Sequence, residues 1–355
     1  VSFNFDIFSL LAITIFSLLV ITYFLVIQVV ILRLYHGYQN KQQQKFFSLW
    51  EGRIFEYLEG EDTPELIIKK IRRKNYIYLL RYLREFFLML KGDDYLKLSQ
   101  LVNQTKLLTF LLSSLKSGSP QKINEAAYFL GLAKSTGAVK VLRKKLRSQN
   151  ASVFLSTSLA LARINDTEAL FEIFRGARRF KFISKDSLLA ILSEYTADIC
   201  PILLQNLKRE KNSFVHTLSI ILFRHFKFYD AAETVLKIMV YSQNKEIVIE
   251  SIKYFSAVEY FEAGTALRSM LNHPKPEVRA EVLKALAIIG DASFEQRIWE
   301  RMYDPEYEVQ YNAVVTLMKL VPESESKITQ FAYSNLKDRG AAIARMVLSE
   351  RSIKN

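Results

Sequence analysis

Three short runs of cations offer the plainest binding chemistry in this chain. Arg143, Lys144, Lys145 and Arg147 stand in RKKLR, Arg175, Arg178, Arg179 and Lys181 in RGARRFK, and Lys208, Arg209 and Lys211 in KREK. Such runs attract phosphates and carboxylates, each cation close to an anionic membrane contributing about 1 kcal/mol. The formal net charge of +13 over 355 residues points the same way, to nucleic acid, lipid headgroups or an acidic protein. A structural role competes for the same residues, because cations at helix C-termini interact favourably with the helix dipole by about 0.3–1 kcal/mol each. A fourth run, KKIRRK from Lys69 to Lys74, is predicted on a long helix, with Tyr76, Tyr78 and Tyr82 as its packing residues.

Catalytic chemistry has no comparable signal. His36, His216 and His225 lack carboxylate or cysteine partners at helical ligand spacing. No His-Glu-x-x-His, no phosphate-cradling glycine loop with lysine and no Gly-x-Ser-x-Gly elbow occurs. His273 reads as a cap or turn residue. Glu61 with Asp62 and Asp93 with Asp94 read as solvated turn carboxylates, since acid-base work needs surroundings that drive two pKa values apart. Cys200 is the only cysteine, which excludes an internal disulfide and a four-thiolate zinc site, and its apolar neighbours put it in the core. The sequence implies no catalytic residue, no metal and no cofactor; a site assembled from distant parts of the chain would leave no local motif.

The elements that must carry the cations begin with an apolar run. From Ile7 to Leu32 there is no charged residue, and about 20 helical residues already cross the roughly 30 Å hydrocarbon layer. Asp6 precedes the run and Arg33 ends it, without the basic leader and small-residue site of a cleaved signal, so residues 1–34 are expected to stay as a transmembrane anchor. Arg33, Lys41, Lys45 and Arg53 follow the helix, so the positive-inside bias places the remainder in the cytoplasm, a single-pass inner (cell) membrane protein with its N-terminus outside. Tyr35 and Tyr38 would sit at headgroup level. Three glycosylation sequons, at Asn103, Asn150 and Asn165, read as chance matches.

Past the anchor the sequence repeats itself. HPKPEVRAEVLKALAIIGD, from His273, is echoed by DPEYEVQYNAVVTLMKL, from Asp304, and the register extends upstream. Its markers are Ile123, Val153, Ile183, Val215, Ile247, Val278 and Val309, a near-constant register of the length that marks stacked repeats. Each unit opens on a helical pattern such as Val278, Val282, Leu283, Leu286 and Ile289. A turn with a candidate cap follows (Asp166 or Thr167, Asp291 or Ser293), then a second helix. Two helices in so short a unit cannot enclose a core, so successive pairs must stack. Each of the three cation runs then falls at the end of a second helix, and the runs are expected along one edge of the stack.

PEVRAEVLKALAIIGD, from Pro276 to Asp291, resembles a HEAT repeat of the short, lyase-type bacterial kind. The resemblance covers about residues 117–355 and is most specific in the last units. Units of that family place an Asp in the turn and a basic residue in the second helix, positions that Asp291 and Arg297 match; the unit of Val153 has Asp166 but Glu172, and that of Val309 has Pro322 where the Asp would stand. Together with the apolar anchor it implies an all-α chain: a transmembrane helix, then an α-solenoid of about seven to eight HEAT-like hairpins. Residues 35–116 are expected as juxtamembrane and degenerate capping helices, with Thr63 and Pro64 opening one and Leu66, Ile67, Ile71, Leu79, Leu80, Leu83 and Phe87 lining it. The segment from Ala341 would close the other end.

The functional expectation is a non-enzymatic scaffold or adaptor that binds protein at the cytoplasmic face of the membrane. An accessory subunit of a membrane enzyme such as a glycosyltransferase is its narrowest form. The cation ridge would meet anionic headgroups or an acidic partner. The alternative that the resemblance implies is a HEAT-like lyase or a protein gripping nucleic acid in a basic groove; tethering to a bilayer argues against the latter.

Overall fold

A computed structural model describes residues 7–290, 292–321, 323–334 and 337–354, all of whose regular structure is helical. Asp6, Asp291 and Pro322 lie outside them. The chain divides into two compact units, Val1–Ile164 and Asn165–Asn355.

The first unit opens with α1 (Ile7–Glu59), 53 residues without a break, about 80 Å long at 1.5 Å per residue. No part of Ile13–Ile31 is buried against protein. Within it the Ser17 and Thr22 hydroxyls donate to the Thr14 and Leu18 carbonyls of their own helix, at 2.8 and 2.7 Å, so neither polar group needs water. At its far end Trp50, Ile54 and Tyr57 form a buried stripe, and the Tyr57 hydroxyl donates to the Lys97 carbonyl at 2.7 Å. Burial first, and the Glu65 carboxylate second, push that phenol up to about 12.

Helices α2 (Pro64–Lys69) and α3 (Tyr76–Met89) replace the single long helix expected around KKIRRK. Ile67 and Ile71 would need an apolar residue at 74 or 75 to continue one face, and Lys74 and Asn75 stand there. The chain therefore turns after Lys69 and restarts its stripe at Tyr76, Leu79, Leu80, Leu83 and Phe87, all buried, while Leu66 is exposed. Tyr76 packs on Phe110 and Tyr82 on Phe47, as expected of packing residues. Gly92, at φ +64°, lets the chain enter α4 (Gly92–Asn103), whose first turn carries Asp93 and Asp94. After α5 (Lys106–Ser117) come α6 (Pro120–Leu132), α7 (Val139–Lys145) and α8 (Ala151–Ile164). Helices α6 and α8 cross closely: a Cβ on Gly131 would lie 2.8 Å from the Ala160 Cα.

The second unit continues as helix pairs, whose first helix is the longer from α12 onward: α9 (Ala169–Ala177), α10 (Lys185–Leu192), α11 (Ile199–Leu207), α12 (Ser213–His225), α13 (Ala232–Tyr241), α14 (Lys245–Val258), α15 (Gly264–Met270), α16 (Pro276–Ile289), α17 (Glu295–Arg301), α18 (Tyr307–Leu320), α19 (Ser324–Ser334) and α20 (Arg339–Lys354). The first helix of each pair packs on the first helix of the next, α12 on α14, α14 on α16, α16 on α18 and α18 on α20. This is the stacked helical repeat that the sequence period requires. The segment from Ala341 lies in α20, against α18 and α19.

Six of the seven register markers are buried, with Val278 and Val309 fully enclosed. Ile183 is the exception. It precedes α10 and is half-exposed, and Leu188 takes the buried place. First helices start at Pro120, Ala151, Lys185, Ser213, Lys245, Pro276 and Tyr307, so the interval lengthens on the way to α10, shortens after it and is even elsewhere. Counting at a constant period therefore missed a longer loop before α10 and a shorter repeat after it. The second helix of the Val153 repeat likewise starts later than expected, at Ala169, without a capping side-chain hydrogen bond. Asp166 instead lends its carbonyl to the Tyr195 hydroxyl at 3.0 Å. Lys134, Asn165, Lys227 and Glu259 end first helices in left-handed backbone, a conformation costing non-glycine residues about 1–2 kcal/mol each, so the turn recurs although its residue type does not.

Candidate functional site

All three cation runs stand where a second helix ends. Arg143, Lys144 and Lys145 form the last turn of α7, with Arg147 just beyond. Arg175 is in the last turn of α9, Arg178 caps it and Arg179 and Lys181 follow; Lys208 caps α11, and Arg209 and Lys211 follow. The first run belongs to the first unit and the other two to the second. Exposed guanidinium and ammonium groups dominate: Lys144, Arg147, Arg175, Arg178, Arg179, Lys181, Lys208, Arg209 and Lys211 are exposed, Arg143 and Lys145 half-exposed. The cations of KKIRRK are exposed as well, on the turn between α2 and α3.

Lys185 of α10, which follows the Arg175 run, pairs with Glu246 in the first turn of α14, and α12, into which the Lys208 run leads, packs on both α10 and α14. Glu210, the only acid within that run, accepts from the backbone N–H groups of Lys211 and Asn212, both at 2.8 Å. His216 bonds the Glu210 carbonyl through Nε2 at 2.8 Å, and Asn212 caps α12 through the Phe214 N–H. The Glu233 carboxylate on α13 is held below its usual range by the Lys237 ammonium, and in smaller part by Lys208.

The loop before α10 has a defined shape. Arg179 donates through Nε to the Gly176 carbonyl at 3.3 Å and lies over the Phe180 ring, which is buried. The Ile183 N–H closes a tight turn onto the Phe180 carbonyl at 3.2 Å, leaving Lys181 and Phe182 at its tip. Phe182 is 77% exposed, the most of any phenylalanine among the described residues.

Further along the same unit, cations meet acids from neighbouring repeats. Lys245 pairs with Glu277 at 2.6 Å, Lys284 with Glu308 at 2.9 Å and Lys327 with Glu295 at 2.8 Å. Inside, Arg279 grips Asp304 with two bonds of 2.8 and 2.7 Å and donates to the His273 carbonyl at 2.7 Å. The Asp304 carboxyl is nearly enclosed and the Arg279 guanidinium mostly so. This clamp ties the turn before α16 to the turn before α18. The sequence carries no mark of this pair, since His273 stands where the next repeat has Asp304 and Gln310 where this one has Arg279. Arg297, matched to the family's basic position, faces Glu300 of its own helix at 3.6 Å.

The other candidates have structural duties. His273 accepts the Lys275 N–H at Nδ1, as expected of a turn residue, and His225 packs on Phe226. Cys200 is buried, and desolvation pushes its thiol up to about 12. Asn103 holds the Ala133 carbonyl, Asn150 caps α8 and Asn165 accepts the Thr196 N–H, so all three sequon asparagines are engaged. Among the described residues no three His, Cys, Asp or Glu side chains converge as metal ligands. An open groove of about 550 Å³ lies between α2 and α5, lined by Glu65, Lys69, Tyr76, Lys106 and Thr109.

No family model and no curated protein matches the sequence. Among solved structures, the crystal structure of a Kap121p mutant aligns over 85% of this chain and 42% of its own, with 16% identity and a TM-score of 0.45. The chain thus spans less than half the length of that protein.

Proposed function

We propose that the chain is a membrane-anchored helical-repeat scaffold, which holds a protein partner at the cytoplasmic face and catalyses nothing itself. The observation that carries this reading is α1. One uninterrupted helix has a bare apolar half, Ile13–Ile31, and a half bolted into the first unit by Trp50, Ile54 and Tyr57. A leader built to be cut away has no reason to continue as a structural strut of the folded body. The cations after the apolar run favour the cytoplasmic side, and stacked repeats supply extended surface for a partner. The narrower form, an accessory subunit of a membrane enzyme such as a glycosyltransferase, follows from that combination of tether and surface.

Alkaline carbonate extraction of the full-length protein tests the anchor. The wild-type chain is expected to stay with the membrane at full mass. Leu19→Arg with Phe24→Arg should release it, since each arginine at a helix centre costs about 2.5–3.5 kcal/mol of insertion. A wild-type chain that is extracted, or that has lost Ile13–Ile31, would defeat the reading. Tyr241→Cys, labelled by an impermeant maleimide only after the cells are opened, is the expected sign of a cytoplasmic second unit.

A further inference from the structure

The link between α9 and α10 departs from the repeat. Seven residues, 178–184, connect these helices, whereas three to five connect α11 to α12, α13 to α14, α15 to α16 and α17 to α18. Insertions into helical repeats map to loops on one face, which is often the binding face. This one is ordered, since Phe180 anchors it in the core and the Ile183 N–H closes its turn. Between Glu172 and Asp186 there is no acid, and Arg175, Arg178, Arg179 and Lys181 are all exposed around Phe182. Tyr241, the one large hydrophobic side chain among the described residues of the unit that is more exposed than Phe182, has no cation run beside it.

We propose that this loop is a membrane-docking turn: Phe182 enters the interfacial layer of an anionic bilayer while Arg175, Arg178 and Lys181 meet headgroup phosphates. Charge selects the ligand, since the loop offers cations alone. Shape selects a bilayer over a protein: a convex tip with a single protruding ring suits a soft interface that closes around it, whereas a protein partner would need a matching pocket. Aromatic rings flanked by cations are favoured at that interface. Lys208, Arg209 and Lys211, at the corresponding helix end of the next repeat, would extend the cationic footprint. The inference draws on the reading of α1 only for reach, because a loop in a chain already held at the bilayer meets it as an intramolecular event, for which a weak contact suffices.

The test uses the full-length protein in vesicles of phosphatidylcholine, with or without phosphatidylglycerol, and tryptophan quenching by lipids brominated near the headgroup. The F182W variant is expected to add blue-shifted, quenchable emission over wild type in the anionic vesicles, to lose it in high salt, and to show none in the neutral ones. Y241W should report water in both. In the F182W background, R178Q with K181Q should weaken docking about 25-fold, each cation near an anionic surface counting about fivefold. Arg179, which packs on Phe180, is left in place; should helicity nonetheless fall, the salt dependence of F182W alone makes the same decision. F182W emission that stays in water in both compositions overturns the docking turn and leaves the cations to an acidic protein surface. Equal quenching in neutral vesicles overturns it too, since the cations would then play no part. V26W, read with deeply brominated lipid, reports α1 by itself: V26W in lipid with F182W in water sinks the docking turn and spares the anchor, and the reverse sinks the anchor and spares the turn.

Discussion

The stretch from α9 to α12 and the stretch from α14 to α18 are built from the same kind of helix pair and treat charge in opposite ways. In the second, first helices start at the evenly spaced Lys245, Pro276 and Tyr307, and cations meet acids of the next repeat, as Lys245 meets Glu277 and Arg279 meets Asp304. In the first, the starts at Ala151, Lys185 and Ser213 are uneven, a long interval followed by a short one; Lys185 and Arg224 still meet Glu246 and Glu250 of α14, but the cations of the two runs gather at helix ends beside few acids. Regular spacing brings side chains of consecutive repeats into register, so their charges can serve packing. Irregular spacing disturbs that register, and the cations of the two runs face outward.

The largest expected effect lies at the clamp in the regular stretch. Asp304→Ala strands the mostly enclosed Arg279 guanidinium and should cost about 3–5 kcal/mol in chemical unfolding, whereas an apolar pair at both positions should recover most of that loss. A cost no larger than that of an exposed pair would erase the distinction between the two stretches. Next come the tyrosines that staple one repeat to the turn of the one before. Tyr254 donates to the Phe228 carbonyl at 2.7 Å, and in the irregular stretch Tyr195 donates to Asp166 at 3.0 Å. Tyr254→Phe and Tyr195→Phe should each cost about 0.5–1.5 kcal/mol, which would show that neutral staples are common to both stretches and only charge differs.

Tyr254 also predicts an alkaline limb. Burial, with Asp230 next in weight, raises its phenol above the usual value of 10.0. The folded state therefore favours the neutral phenol. Its contribution is complete below pH about 10 and falls away as pH rises toward the folded-state value. A stability-against-pH curve should descend less steeply above pH 10 for Tyr254→Phe than for wild type. The Lys245–Glu277 pair gives the opposite sign and a smaller effect. The Lys245 ammonium holds the Glu277 carboxyl below its usual range, so this contribution is present at neutral pH and disappears as pH falls through the lowered value. Lys245→Ala should cost little, and nothing in high salt.

What the sequence made legible follows from which residues answer to periodicity. Val278, Val282, Leu283, Leu286 and Ile289 repeat at helical spacing because they share one buried face, and all five are buried. Ile183 broke that logic: the loop before α10 adds residues without changing composition, so a constant period lands on a residue outside the helix. KKIRRK failed similarly, because its five cations and one isoleucine suit an exposed helix as well as an exposed turn; only the missing apolar partner at 74 or 75 told them apart. The Arg279–Asp304 clamp depends on two turns meeting in space, which the separation of the two residues along the chain does not announce. For the cation runs, sequence supplied their position at helix ends. The closed turn that lifts Phe182 is a matter of backbone hydrogen bonding at Phe180 and Ile183, for which the letters RRFKFIS carry no clear mark.

The smallest expected effect on stability is the most informative about the contrast. In the regular stretch, removing a cation that pairs across repeats should cost something at low salt, because an acid of the next repeat loses its partner. Arg178 and Lys181 are exposed and stand in an acid-free loop, so R178Q with K181Q should leave the unfolding free energy within about 0.5 kcal/mol of wild type. A small gain would be equally natural, since neighbouring like charges would be relieved. Residues that the fold does not need, gathered at its one lengthened loop, are the ones whose presence calls for a ligand. A loss on the scale of the Asp304 clamp would instead assign these cations to packing, and the two stretches would then differ in spacing alone.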